Sequence, residues 1–303
     1  MRRTTDRLSV FGLAMAIQAA ADYLLGAPPD GRPTWLAWAL SHTRQLASLP
    51  PRLRVFAPFA ASLAAIRAAS LIEQTRPGGP SRIASIVLQA ILLAATFDAF
   101  RGLRASATVE GQLRDAPVDD QGRPTAALDA ERVEAEIGRL ANAPSESVVG
   151  PWAAYAAFDL SGAVAYAAVE SLGGPMAGPG SDGPLAAMLD PARRLVSVRR
   201  GRDAIAAAAT LAARGRSDLQ APELEELALG SETPIPVTAM SVALDRRASW
   251  NGRSVGWQRP PPEIKDIRRA RRLHLKSLGV LALAAVGVIA ISDLFRPPGS
   301  DND

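Results

Sequence analysis

The chain has 303 residues, of which 48% are hydrophobic and 21% are charged, and its formal net charge is +4 at pH 7. It contains no cysteine, which excludes disulfides, thiolate metal sites and thiol nucleophiles, and its two histidines, His42 and His274, are too few and too far apart to indicate a zinc site. Because the arginines flank apolar segments and aromatic residues make up only 5% of the chain, the sequence does not favour nucleic-acid binding.

Alanine-rich apolar blocks alternate with arginine-rich connections, a layout typical of a polytopic protein of the inner or plasma membrane, with the lipid bilayer as its partner. Scarce β-branched alternation favours a mainly helical chain, so the predicted fold is a single membrane domain over 1–303 that forms a helical bundle with about four or five spans. The predicted spans lie near 8–25, 55–72, 83–100 and 277–294. Residues 150–172 are either a re-entrant segment or a fifth span, and 101–149 and 173–276 are polar segments.

The first apolar segment allows two interpretations. Arg2 and Arg3 followed by residues 8–25 resemble a signal peptide, with small residues near the end that could form a cleavage site. A first membrane span is favoured, because the apolar run continues to Leu25 before Gly26 and two prolines end it.

Several connections are also informative. The short turn at 75–81 makes the second and third predicted spans an antiparallel pair. Residues 127–141 have acids early and Arg139 late, which favours a helix, and 249–262 resembles a loop. The basic residues of 263–276 predict a helix that continues into the last span, with its basic end in the cytoplasm and the acidic tail on the opposite side.

Residues 148–172 are dominated by alanine, valine and aromatic residues, yet they include Asp159, Ser161 and Glu170. A carboxylate within a membrane segment is costly, so it usually faces a bundle interior or a wet cavity. The alternative is a buried helix whose acidic residues reach the interface at its two ends.

Two motifs resemble those of a known family. LANAPSESVVGP at 140–151 is similar to LAENTSDGVVAP without a gap, and Ser145 and Pro151 are among the identical positions while Glu146 keeps an acid. GAVAY at 162–166 resembles the start of a second motif, GALAY. Weaker matches lie at 25–29, 186–190, 236–244 and 266–269. On these motifs the chain resembles the adenosylcobinamide-phosphate synthases, the CobD/CbiB proteins of cobalamin biosynthesis.

The resemblance implies an ATP-dependent ligase that joins an aminopropanol arm, or its phosphate, to a propionate carboxylate of a corrinoid substrate. Mg²⁺ and ATP are then the expected cofactors. Glu146 and Asp190 become candidate Mg²⁺ ligands, because that ion prefers oxygen. Arg199 becomes a candidate phosphate ligand and Ser145 a polar contact. From the residues alone, an acid beside a helix start is usually a cap, and an arginine cluster after a span usually marks membrane topology.

The chain also departs from the family pattern at polar positions. Asn142, Ala143 and Pro144 replace Glu-Asn-Thr, Pro191 replaces an aspartate, and Glu170 stands in place of an asparagine. Apolar and turn positions are retained more often than polar ones. A second hypothesis therefore follows, in which the chain is a paralogue that keeps the fold and acts as a non-enzymatic binding or accessory protein in the membrane.

Overall fold

Alanine- and leucine-rich segments form helices in the computed structural model, which describes residues 2–25, 36, 57–74, 80–115, 126–173, 199–215 and 234–295. The prediction of a mainly helical chain is confirmed. The helices are α1 (Arg2–Leu25), α2 (Ala57–Gln74), α3 (Pro80–Ala94), α4 (Arg101–Arg114), α5 (Ala126–Pro144), α6 (Gly150–Gly173), α7 (Arg199–Arg214), α8 (Ile235–Leu244) and α9 (Ile264–Leu294). A π-helical turn, Ser145–Val149, joins α5 to α6.

The contacts divide the chain into two compact units, which we describe separately. Unit 1 is drawn from Met1–Asp98, Gly150–Val198 and Ala284–Asp303, and unit 2 from Ala99–Val149 and Arg199–Leu283. The single domain predicted over 1–303 stays a prediction.

In unit 1, α1 packs against α3, and α2 packs against α6. An aromatic cluster lies at the centre of this packing. Trp152 meets the ring of Phe11 edge-on at 5.1 Å between centroids and the ring of Phe97 at 5.7 Å. Such edge-to-face pairs add to the free energy that burial of the rings already supplies.

Helix α3 ends earlier than the span predicted for 83–100. It has 15 residues and stops at Ala94. The backbone N–H and the hydroxyl of Thr96 both donate to the carbonyl oxygen of Leu93, at 2.9 and 2.7 Å, so the chain turns instead of continuing the helix. A helix of this length is shorter than the about 20 residues that cross a hydrocarbon core.

One helix among the described residues, Ile264–Leu294, is long and apolar enough to cross a membrane. The basic and apolar stretches form one continuous helix there, as the sequence predicted. In its apolar window 22% of the residues are buried, whereas the core helix of a soluble protein is mostly buried. The other predicted spans stay predictions.

Unit 2 is organised around α5, which packs against α4, α8 and a small β-hairpin. Its buried core consists of apolar side chains from these elements, among them Leu113, Val133, Ile137, Leu140, Val237, Met240, Leu244 and Ile267. The hairpin pairs β1 (Ala248–Trp250) with β2 (Arg253–Val255) in antiparallel register.

The hairpin corrects the expectation of an irregular loop at 249–262. Asn251 and Gly252 both have positive φ, 50° and 78°. This conformation is that of a two-residue turn whose twist matches the flanking strands, and Asn-Gly is its preferred sequence. The dipeptide was therefore the signal from which the hairpin could have been predicted.

Helix α5 packs closely against this hairpin at Gly138. A Cβ atom on Gly138 would overlap the carbonyl oxygen of Ser249, whereas one on Gly111 of α4 would meet nothing within 4 Å. Gly138→Ala should therefore destabilise the protein by ~1–3 kcal/mol through overpacking. Gly111→Ala should stabilise it by ~0.5–1 kcal/mol, because glycine is unfavourable in a helix.

Thermal unfolding of both variants in the same detergent tests the contact. A Gly138→Ala protein that melts with or above the wild type would contradict the close packing of the hairpin on α5.

Candidate functional site

Helix α6 is interrupted near its middle. Phe158 has φ −131°, and Asp159 has φ 62° and ψ −158°, so the helical hydrogen-bond ladder breaks there. The ring of Tyr166 lies so close to Gly150 that a Cβ on Gly150 would overlap it. In a straight helix these two residues would be about 24 Å apart. The two halves of α6 therefore lie side by side, and each is shorter than the about 20 residues of a full span.

Two charged side chains from other helices satisfy the backbone groups that the break leaves without helical partners. Arg7 Nη2 donates to the carbonyl oxygens of Tyr155 and Ala156, at 3.0 and 2.7 Å. The backbone N–H of Ser161 donates to Glu73 Oε1 at 3.0 Å. Arg7 thus satisfies free carbonyl oxygens at the end of the first half of α6, and Glu73 satisfies a free N–H at the start of the second half.

Arg7 also neutralises two aspartates. Its Nε lies 2.6 Å from Asp159 Oδ1 and its Nη1 lies 2.5 Å from Asp293 Oδ1, and all three side chains are buried or nearly so, with 7%, 16% and 8% of their surface exposed. Tyr155 donates its hydroxyl to the carbonyl oxygen of Arg7 at 3.1 Å. The sequence singled out Asp159 as an acid that faces either a bundle interior or wet cavity, or the interface at a helix end, and it did not identify Arg7 or Asp293 as its partners.

Loss of the guanidinium should therefore destabilise unit 1 strongly. Arg7→Met leaves two buried carboxylates without a counter-charge, which typically costs ~3–5 kcal/mol. Arg82 pairs with Asp6 at the surface, with 42% of the Arg82 side chain exposed, so Arg82→Gln should change stability little. The measurement is the thermal midpoint in detergent.

A triple variant separates charge from shape. Arg7→Met combined with Asp159→Asn and Asp293→Asn should recover a large part of the lost stability, because the uncompensated charges are gone. Equal midpoints for Arg7→Met and Arg82→Gln would contradict the central role of Arg7.

In unit 2 a proline and a histidine explain the π-helical turn that follows α5. Pro144 has no N–H to donate to the carbonyl oxygen of Leu140, and its ring disfavours regular helix there. His274 Nδ1 lies 3.0 Å from that oxygen and takes the place of the missing donor. The chain then widens into the π turn Ser145–Val149, a distortion that is frequent at functional sites.

The π turn presents two of the sequence-predicted site residues. Ser145 is buried and donates its hydroxyl to Asp203 of α7. Glu146 is exposed at the surface, and Asn142 Nδ2 donates to its Oε1 at 2.6 Å. Ser145 therefore connects the turn to α7, while Glu146 is the accessible acid.

A polar stripe leads along α5 to this turn, with members three or four residues apart. It consists of Glu136, Arg139, Asn142 and Glu146. Glu136 is only 1% exposed, and neither of its oxygens accepts a hydrogen bond from the described residues, although Arg139 Nη1 lies 3.0 Å away. Burial raises the pKa of the Glu136 carboxyl, and the charge of Arg139 opposes this only in part.

The raised pKa gives a pH-dependent prediction. Because the pKa of Glu136 is higher in the folded protein, folding favours the protonated carboxyl. This contribution to stability is complete below the ordinary pKa of 4.5, and it is lost as pH rises through the folded-state pKa and the buried carboxyl ionises. Glu136→Gln cannot ionise, so it should melt a few degrees above the wild type at about pH 7 to 8, and the gain should disappear towards about pH 4.

The exposed acid Glu131 on the same helix provides the control. Glu131→Gln should show no gain at any pH. A Glu136→Gln variant with a pH-independent difference from the wild type would contradict the burial of an ionised carboxylate.

The structure brings some of the predicted site residues together. Ser145 and Glu146 share the π turn, and Arg199 begins α7, one helical turn before Asp203. Asp190 lies outside the described residues, so the convergence of all four stays a prediction. The sequence did not reveal a role for Asp203, because its contact with Ser145 joins residues 58 apart and depends on tertiary packing.

The described residues do not fit a Mg²⁺ site on their own. No three His, Asp or Glu side chains among them form a group that could hold a metal ion. Glu146 and Asp203 offer single carboxylates at the turn, and Asp203 already accepts from Ser145. The assignment of Glu146 and Asp190 as metal ligands therefore stays a prediction.

Comparison with protein-family models, curated proteins and solved structures finds no match for this chain. The resemblance to the CobD/CbiB proteins thus depends on the motifs themselves, chiefly 140–151 and 162–166.

Proposed function

We propose that this chain is a multi-pass membrane protein of cobalamin biosynthesis, of the adenosylcobinamide-phosphate synthase type. In this proposal it attaches an aminopropanol arm, or its phosphate, to adenosylcobyric acid by forming an amide, and ATP activates the corrinoid carboxylate. The observation that carries the proposal is the location of the longest family-like motif. Residues 140–151 contain the π-helical turn, where the regular α-helical hydrogen bonds of α5 end.

The second family-like motif lies against the first. Residues 162–166 begin the second half of α6, and Tyr166 at their end packs against Gly150, which belongs to the first motif. Gly150 replaces an alanine of the family pattern, and a Cβ at this position would overlap the ring. The contact therefore brings the two motifs together, and at Gly150 it departs from the family pattern.

The contacts suggest different roles for the residues of the turn. Ser145 is buried and bonded to Asp203, so it acts as a positioning residue that holds the turn on α7. Glu146 is exposed and oriented by Asn142, so its carboxylate can pair with the ammonium group of the incoming amino-alcohol. Arg199 begins the helix that carries Asp203, and in this proposal its guanidinium binds the phosphate.

The exposed apolar side chains of unit 1 support the proposed membrane location. Helix α3 exposes Ile83, Val87 and Ile91 at intervals of four residues, which form a single stripe. The part of α9 that belongs to unit 1 exposes Val286, Val288 and Ile291 as well. Contiguous apolar surface of this kind is a liability in water and is typical of a lipid contact. The folded-back α6 then enters the bilayer as a re-entrant segment, with its freed backbone groups buried in protein.

The second candidate function is a non-enzymatic membrane paralogue that binds a ligand or assists another protein. The replaced polar positions of the motifs favour it. The two functions differ in whether the wild-type gene can replace a missing synthase.

Complementation of a strain that lacks its own adenosylcobinamide-phosphate synthase tests the proposal. The wild-type gene should restore corrinoid-dependent growth. Glu146→Gln and Arg199→Gln should lower the rate about 10- to 100-fold, since hydrogen bonds to charged groups contribute ~1.5–3 kcal/mol. Ser145→Ala should have a smaller effect on the rate, because Ser145 positions the turn through Asp203 and does not itself contact the substrate in this proposal.

Glu131→Gln removes an exposed acid from α5 away from the turn and should leave the rate unchanged, so it serves as the matched control. Failure of the wild type despite normal accumulation in membranes would reject the ligase in favour of the paralogue. Full activity of Glu146→Gln and Arg199→Gln would retain the enzyme and reject the assigned site.

A further inference from the structure

A cleft in unit 2 is lined by basic side chains from three helices. Its volume is about 230 Å³, and its lining comprises Ala213, Arg214, Ala243, Leu244, Arg269, Arg272, Leu273 and Lys276. No described residue that lines it is acidic. The volume is below the ~300–1,000 Å³ of pockets for drug-sized ligands, so the cleft suits a small anionic group.

The charges of the cleft do not all balance within the protein. Arg269 pairs with Asp266 at 2.9 Å. Arg214 Nη1 donates to the carbonyl oxygen of Val242 at 2.7 Å, which offsets the partial negative charge at the end of α8. Arg272 and Lys276 are exposed, and neither is paired with any residue that the structure describes. At least two positive charges of the cleft are therefore available to a ligand.

The three cations of α9 lie on one face of the helix. Arg269, Arg272 and Lys276 follow one another at intervals of three and four residues. Leu273 and Leu244 form an apolar floor between them. Lys276 immediately precedes the apolar part of α9, 277–294, so the cleft opens where this helix would meet a membrane surface.

We propose that this cleft binds a phosphate group. Arginine offers a planar fork for phosphate oxygens and lysine a mobile point charge, and a tetrahedral anion can contact both. Two sources share this chemistry, the headgroup of an anionic phospholipid and a phosphate-bearing molecule from solution. The described lining includes neither Ser145 nor Glu146, so the proposal does not depend on the function assigned to the π turn.

The test compares the full-length protein with Arg272→Gln/Lys276→Gln. The matched control is Arg101→Gln/Arg132→Gln, which removes the same charge from two exposed arginines of unit 2 outside the cleft. In one arm, inorganic pyrophosphate is titrated into protein in a neutral detergent and heat is measured. In the other arm, nanodiscs of phosphatidylcholine containing phosphatidylglycerol are used, and bound phosphatidylglycerol is counted by native mass spectrometry.

The cleft variant should bind at least one of the two probes about tenfold or more weakly than the wild type, as expected for the loss of two basic groups that act on one phosphate. The control variant should bind like the wild type. A loss confined to the nanodisc arm identifies a lipid headgroup, and a loss confined to the titration identifies a soluble phosphate. Arg272→Lys/Lys276→Arg keeps the charge and should retain binding. Equal binding by the cleft and control variants in both arms would overturn the proposal.

Discussion

The hydrogen bonds of Arg7 to the interrupted helix α6 are the interaction on which unit 1 depends. An apolar helix that breaks in a buried place exposes carbonyl and N–H groups, and each unsatisfied group costs free energy. Arg7 covers the carbonyl oxygens of Tyr155 and Ala156, and Glu73 covers the N–H of Ser161. The break can therefore persist, and α6 can fold back on itself.

Burial of the guanidinium carries its own cost, which the two aspartates offset. Asp159 comes from the break and Asp293 from the end of α9, so one cation ties together segments from the beginning, middle and end of the chain. A carboxylate removed from water is tolerated only when it is paired and hydrogen-bonded. The contacts with Arg7 explain why Asp159 and Asp293 are tolerated within the apolar segments 148–172 and 277–294.

A second interruption, just before α6, follows the same principle with different groups. Pro144 leaves the carbonyl oxygen of Leu140 without its helical donor, and His274 replaces that donor. The resulting π turn turns the side chain of Ser145 inward and that of Glu146 outward. The π turn thus places Ser145, the positioning residue, in the interior and leaves the acid Glu146 accessible. The proposed ligase site requires this arrangement.

Hydrophobic pattern and charge placement predicted the elements that depend on local sequence. Helix α5 is one example, because its acidic residues lie near its start. The continuous helix α9 is another, because a basic flank precedes its apolar part. The partners of Arg7 could not be predicted, since Asp293 lies 286 residues away and its role depends on tertiary packing. Asp203 was missed for the same reason. The hairpin at Asn251 and Gly252 had a local signal that was not used.

The most direct test of the proposed chemistry is the reaction itself. The purified protein in nanodiscs would be incubated with adenosylcobyric acid, aminopropanol or its phosphate, and Mg-ATP, and the corrinoid would be analysed by mass spectrometry. The proposed function predicts an ATP-dependent product whose mass exceeds that of adenosylcobyric acid by the mass of the amine supplied, aminopropanol or its phosphate, minus one water. Recovery of unchanged corrinoid, under conditions in which an authentic synthase forms the product, would contradict the ligase function.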